Sequence, residues 1–379
     1  MEQDGAFSIG EHFSGLEDPR VDRTKRHQLL DIVIIAICGV ICGADNWVDI
    51  EEFGKAKLRW LKGFLELPNG IPSHDTFGRV FGRLDPEQFQ RCFLSWVQAL
   101  YEITQGQVVA LDGKTLRRSH DRRLGRAAIR MVSAWASANR LVLGQVKVED
   151  ESNEITALPE LLTLLTLKGC IVTIDAIGCQ AEIAQLIVEQ EADYVLAVKG
   201  NQATLHQEIQ DLFVYAQEIG FRDVAYDFHQ TVNGGHGRIE VRRHWTISEP
   251  DFLEYLNPKG VWAGLQSIGM VEAERRIGDE MSQETRYYIS TLPGDAVQFG
   301  QAVRSHWGIE NCMHWVLDVA FLEDDSRIRK ENGPQNFAVL RHIALNLLKQ
   351  ENTAKRGIKG KRLKAAWSDD YLFKVLTGP

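Results

Sequence analysis

The sequence predicts an α/β protein, a mixed β-sheet core preceded by an all-helical N-terminal region and interrupted by a β-rich insertion. Three observations predict it. Residues 1 to about 100 carry apolar side chains at helical spacing, whereas residues 105–200 alternate short apolar runs with helical stretches. Two of the short runs close on an aspartate, Val108-Val109-Ala110-Leu111-Asp112 and Ile171-Val172-Thr173-Ile174-Asp175. A Trp- and His-rich helical segment, Ser305–Asn311, returns after the insertion and carries Glu310.

The chain has 379 residues, 44% hydrophobic and 25% charged, an ordinary soluble balance with length enough for a sizeable core. A net charge of −9 does not mark a nucleic-acid binder, so the distribution of charge matters more. Lys114, Arg117, Arg118, Arg122, Arg123, Arg126 and Arg130 form one basic run, with Asp121 its one acid. A second runs from Lys355 to Lys364 without an acid, and Arg20, Arg23, Lys25 and Arg26 make a third. Each alone reads as a solvated face; three on an acidic protein, one directly after a candidate catalytic strand, favour a polyanionic partner. The six cysteines contain no CxxC pair, so no disulfide or zinc framework is expected and a reducing cytosol fits. Leu29–Ala44 is too short to span a bilayer and carries Asp31, which makes it a buried helix.

Taken in order, Leu29–Cys42 and Trp47–Leu65 read as helices, and Pro68-Asn69-Gly70 breaks the pattern. Ser73 can cap a helix through Phe77, Val80 and Phe81 that exposes His74, Arg79 and Arg83; Asp85-Pro86-Glu87 opens another, to Leu100. This region is either a plain helical bundle or a helix-turn-helix-like module. Next come strand Val108–Leu111, a hairpin of Met131–Ser137 and Leu141–Val148, helix Ile155–Leu167, strand Ile171–Ile174, helix Gln180–Gln190 and strand Tyr194–Val198. The order β-β-β-α-β-α-β is that of a ribonuclease H-like core. Residues 201–295 open with one helix and then alternate like strands over Arg238–Thr246, Ser267–Arg276 and Glu284–Ser290; Asn233–Gly237 has the composition of a loop. Residues 296–350 return to helix, and 351–379 form a basic C-terminal tail.

Asp112-Gly113 has the form of a hairpin turn, and Asp175 that of a helix cap. Parallel strands nevertheless place their C-terminal ends on one edge, where sites form. On a helix, the neighbours of Glu310 at three, four and seven residues are Val303, His306, Trp307, Met313, His314 and Leu317, a largely apolar face. A carboxylate there needs a cation, and a metal ion shared with two aspartates supplies one. Asp318 remains a rival for the third position. Magnesium takes a few carboxylates plus substrate phosphate, and two such ions clamp an in-line phosphoryl displacement. No G-x-S-x-G elbow, P-loop or H-E-x-x-H occurs.

Several segments together resemble bacterial insertion-sequence transposases of the DDE type, the ISAs group that includes the H-repeat-associated proteins. They are His27–Asp31, Ile71–Phe77, Ala110–Lys114, Ile174–Ala176, Tyr194–Gln202, Gly235–Glu240, Arg304–Asn311 and His314–Val319, so the resemblance covers nearly the whole chain. It implies a helical transposase-associated DNA-binding domain over 1–100, a ribonuclease H-like core over 105–200 and 296–350, and the β-rich insertion between. It also implies a catalytic triad of Asp112, Asp175 and Glu310 that holds two magnesium ions, with manganese able to substitute. The partners implied are DNA, as element ends and target, and a second copy in the DNA complex, with no membrane and no nucleotide cofactor. The implied location is the bacterial cytoplasm, at the nucleoid. Phosphate contacts are expected from Lys114, Arg117, Arg118 and Lys199, and a grip on a strand end from His236 and Arg238. Related transposases place a Tyr and an Arg before the glutamate and a Lys after it. Here those positions hold Val303, His306 and Leu317, which leaves His306, Lys199, Arg327 or Arg329 to substitute. A non-catalytic DNA-binding relic and a plain magnesium-dependent nuclease are the competing readings.

Overall fold

The structure is a computed structural model that describes residues 4–100, 106–120, 127–149, 153–235 and 237–378. Arg122, Arg123, Arg126 and His236 lie outside the described residues.

Six helices come first: α1 (Asp4–Phe13), α2 (Leu29–Ile41), α3 (Trp47–Ala56), α4 (Leu58–Leu61), α5 (His74–Arg83) and α6 (Pro86–Leu100). From Asp31 to Ile41 every residue of α2 is buried, as expected of a helix apolar on all sides. The Asn46 side chain caps α3 by accepting from the backbone N–H groups of Val48 and Asp49, at 2.9 and 3.0 Å. The single helix expected over Trp47–Leu65 is divided at Lys57, whose φ of −102° and ψ of 12° leave the helical region. Helix α5 buries Phe77, Val80 and Phe81 and exposes His74, Arg79 and Arg83.

The chain continues through β1 (Val108–Thr115), β2 (Arg130–Ala136), β3 (Leu141–Val148), α7 (Glu154–Leu164), β4 (Ile171–Ile174), α8 (Ala181–Glu189) and β5 (Asp193–Val198). Then follow α9 (Ala203–Glu218), β6 (Tyr226–Gly235), β7 (Arg238–Ile247), α10 (Pro250–Leu256), β8 (Ser267–Ile277) and β9 (Glu280–Ser290). Helices α11 (Ala296–Ile309), α12 (Trp315–Phe321), α13 (Gly333–Gln350), α14 (Ile358–Trp367) and α15 (Asp369–Thr377) complete it. All nine strands form one sheet in the order β3-β2-β1-β4-β5-β9-β8-β7-β6. The first three are antiparallel, and β1, β4 and β5 run parallel, the arrangement of a ribonuclease H-like core. Helix covers both faces of the central strands, which is why β4 is apolar at nearly every position.

Three regions add to or differ from their sequence expectations. The β-rich insertion, whose sheet partners the sequence left open, joins the core sheet: β9 pairs antiparallel with β5, from Val195 opposite Ser290 to Val198 opposite Tyr287. Beyond that contact, β6 to β9 run on as an arm in which β7 and β8 pair from Ile247 and Ile268 out to Arg238 and Ile277, roughly 30 Å at the usual strand rise. Asn233–Gly235, expected in a loop, belongs to β6 and pairs with Arg238–Glu240; Gly237, at φ 73°, supplies the left-handed residue of the turn. The third region is the basic C-terminal segment, which folds as α14 and α15 with Leu372, Val375 and Leu376 buried. Two of its bases become interior donors: Arg362 Nη2 bonds the Val40 carbonyl at 2.9 Å and Asp45 at 3.0 Å, and Lys361 Nζ bonds the Leu348 carbonyl at 2.9 Å. Carbonyls at helix ends lack partners within the helix, and these side chains supply them. No helix of the described residues is long and apolar enough to cross a membrane.

Candidate active site

Parallel pairing of β1 with β4 sets Leu111 opposite Ile174, so the next residue on each strand is an aspartate. Strand β4 stops there. Strand β1 does not, because Gly113, Lys114 and Thr115 keep pairing with Val132, Met131 and Arg130 of β2. Asp112 is therefore a mid-strand residue rather than a strand end, and the hairpin-turn reading of Asp112-Gly113 is excluded. Gly113 has a steric reason: a Cβ there would sit 2.2 Å from the Glu154 carboxyl carbon. Asp175 does cap the short turn after β4, one oxygen accepting from the Ile177 N–H at 3.1 Å.

Helix α11 crosses the sheet over β1 and β4 and hands over to a π turn, Glu310–His314, closed by the Trp315 N–H on the Glu310 carbonyl. One extra residue in a turn rotates the side chains that follow by about 100°, and such turns recur at functional sites. Here it sets His314 against both acids: Nδ1 lies 3.4 Å from Asp112 Oδ2 and 3.8 Å from Glu310 Oε2. One ligand atom from each of the three lies within 4.8 Å of the others. Asp175 is outside that group but lines the same cavity, of about 180 Å³, as Asp112 and Glu310. Lys199, Arg286, Trp307 and His306 line it too.

Burial pushes the Asp112 carboxyl up to about 7 against the opposing pull of His314, and the charges of Glu310 and Asp175 add to the rise. The His314 imidazole holds Glu310 below its ordinary value. Among the described residues no Lys or Arg lies within ion-pair distance of Asp112 or Glu310. Octahedral ligands at about 2.1 Å stand about 3.0 Å apart when adjacent and about 4.2 Å apart when opposite. Separations of 3.4 and 3.8 Å fall between those two values, and a donor set of two carboxylates and an imidazole within 4.8 Å of one another fits a divalent cation.

The other expected residues fall in different places. Lys114 does not face the cavity: its ammonium lies 2.5 Å from Asp318 Oδ1 and 3.0 Å from Glu323 Oε2, and bonds the His314 carbonyl at 3.4 Å. That removes Lys114 from the phosphate contacts and Asp318 from rivalry with Glu310. Arg117 and Arg118 pair with Asp324 and Asp325, at 3.2 and 3.1 Å. Arg327 is exposed, and Arg238 pairs with Glu240 at 3.0 Å near the tip of the arm. His306 bonds Thr173 Oγ1 at 3.1 Å, and burial holds its imidazole below the ordinary value. Sequence reasoning gave no role to His314, Arg286 or Glu154. His314 was visible as the residue four beyond Glu310; Arg286 had no signal, since pairing of β9 with β5 is what brings it to the cavity, its guanidinium 4.5 Å over Trp307. Glu154 is half-buried, and burial together with Asp175 raises its carboxyl.

The sheet order is that of a ribonuclease H-like fold, with an acidic cavity beside β1 and β4. Residues 103–347 match the family described as transposase DDE domain, and residues 10–97 match the family described as DDE_Tnp_1-associated. The chain belongs to the DDE-domain transposase family. It is 42% identical over 373 residues to "Putative transposase YncI" of Escherichia coli O157:H7, covering 97% of this chain and 94% of that one. It is 40% identical over 372 residues to "H repeat-associated putative transposase YhhI" of Escherichia coli K12, covering 97% of each. Among solved structures it matches the piggyBac transposase synaptic complex with hairpin DNA at a TM-score of 0.43 and 10% identity, covering 97% of this chain and 77% of that one.

Proposed function

We propose that this protein is a metal-dependent DNA transposase that cuts phosphodiester bonds at the ends of its insertion sequence and joins the freed 3′-hydroxyls to target DNA. The observation that carries the reading is the placing of Asp112, Asp175 and Glu310 around one cavity, with no Lys or Arg of the described residues paired to Asp112 or Glu310. Asp112, Asp175 and Glu310 line the cavity together and would hold the ions, Asp112 as the ligand shared with Asp175 on one side and Glu310 on the other. Bound divalent ions activate the attacking water or hydroxyl and stabilise the leaving oxygen.

The chain's own residues position the strand. Lys199 and Arg286 line the cavity as well, Arg286 paired with Glu284 at 2.8 Å, and the two offer positive charge to a phosphate there. Trp307, 44% exposed and held flat by Arg286, offers an aromatic face to a base. His306 orients the cleft through Thr173. Pairing of two element ends calls for a second copy of the chain in the reacting complex.

Incubating the protein with its own element ends in Mg2+ tests this: nicking at the ends is expected, and its absence in both Mg2+ and Mn2+ leaves only end binding. Pre-cut ends then separate a transposase, which joins them to target DNA, from a nuclease, which does not.

A further inference from the structure

The π turn places a nitrogen where the acidic triad alone would offer only oxygen. We propose that His314 is itself a ligand of the divalent-cation site, its Nδ1 beside Asp112 and Glu310, and that it tilts the site toward first-row transition ions over Mg2+. The inference rests on the metal-dependent reading above.

Geometry is the first support. The ring faces both carboxylates at 3.4 and 3.8 Å, longer than the about 2.7–3.2 Å of an N–H···O bond and close to the spacing of atoms around one ion. Only 5% of the side chain is exposed, and β1 behind it and the π turn hold it in place. The far side of the ring is the second support. A histidine that ligates through one nitrogen donates the N–H of the other to a partner, which fixes the tautomer. His314 Nε2 is buried and has no partner among the described residues. It borders a cavity of about 10 Å³ lined also by Gln145 and His342, whose Gln145 amide atoms and His342 Nδ1 are likewise buried without partners. That volume suits one water. A water there would accept from Nε2–H and reach Gln145 or His342, which would leave the Nδ1 lone pair facing Asp112 and Glu310. Imidazole nitrogen favours transition ions, whereas Mg2+ keeps to oxygen.

The test is pulsed electron paramagnetic resonance of Mn2+ bound to the full-length protein, with Mn2+ and Mg2+ affinities measured in parallel by titration. A histidine nitrogen coupling is expected in the wild type. His314→Gln should lose it, with Mn2+ affinity down about tenfold or more and Mg2+ affinity changed less. Gln145→Leu, which leaves the ligands in place, should weaken Mn2+ binding about tenfold. Melting in EDTA shows that both variants fold. Mn2+ that depends on Asp112 but shows no nitrogen coupling, or a coupling that persists in His314→Gln, overturns the assignment and leaves the carboxylate site standing. Absence of any Asp112-dependent Mn2+ binding overturns both.

Discussion

Two acidic clusters lie within sixteen residues of each other on one helical segment, and they are built oppositely. Asp318, Glu323, Asp324 and Asp325 are each met by a base: Lys114 serves the first two, Arg117 and Arg118 the others, and Arg341 Nη1 stands 3.7 Å from Glu323. Glu310 and its partner Asp112 have only the His314 ring. Despite burial, Lys114 and Arg341 hold Glu323 below its ordinary value, while Asp112 is raised. Among the described residues the chain supplies Lys or Arg to the first set of acids and only an imidazole to Asp112 and Glu310.

The comparison breaks or sharpens as follows, from the largest effect down. Asp112→Asn and Glu310→Gln should each abolish end cleavage, beyond the 10–100-fold cost typical of removing a ligand's outer partner, and leave end binding intact. A gel assay of nicking beside a binding shift reads both; cutting at wild-type rate by either variant removes that residue from the ligand set. Asp175→Asn should behave alike. Glu323→Gln leaves buried Arg341 and Lys114 underpaired and should cost about 3–5 kcal/mol of stability in denaturant unfolding, without a direct effect on metal affinity. Asp318→Asn should cost less, about 1–2 kcal/mol, because Glu323 still pairs Lys114. Arg117→Ala, at a pair whose arginine is 79% exposed, should change stability by less than about 1 kcal/mol.

Asp112 and Glu323 respond to pH with opposite sign. Asp112 has a folded pKa of about 7, above its unfolded value, so between the two the folded state binds more protons. Metal-free stability should then fall as pH rises from about 4 to 7, by a few kcal/mol, and level off above. Mn2+ or the Asp112→Asn change should remove that slope. For Glu323 the folded value is the lower one, so its contribution is present at neutral pH and lost on acidification below about 4. Thermal melts from pH 3 to 8, with and without Mn2+, separate the two.

Local pattern carried the site as far as local pattern goes. The apolar runs ending at Asp112 and Asp175 set both aspartates side by side because strands β1 and β4 are adjacent and parallel, which element order implies. Glu310 stood out because its helix face reads as apolar, yet its side chain is 56% exposed, so the burial expected to call for a cation there is not found. Less was legible where the partner is remote. Lys114 looked like a free cation after a catalytic strand, yet its partners Asp318 and Glu323 lie some two hundred residues on. The basic run at 355–364 looked like a tail because charge was read without burial; Arg362 sits 4.2 Å over the Phe321 ring and inside the core. A π turn leaves no mark in a helical repeat, so His314 could be counted as a neighbour of Glu310 but not placed against Asp112.

The unbroken ladder from β5 to β6 has a mechanical consequence. An appendage joined by a flexible tether could be clipped off without harm, but here excision would strip β9 from Val195–Val198 and bare the edge of a central strand. It would also take Arg286 from the cleft wall. Backbone hydrogen bonds thus run without a break from the hairpin tip, through β7, β8 and β9, to β5 beside the strand that ends at Asp175.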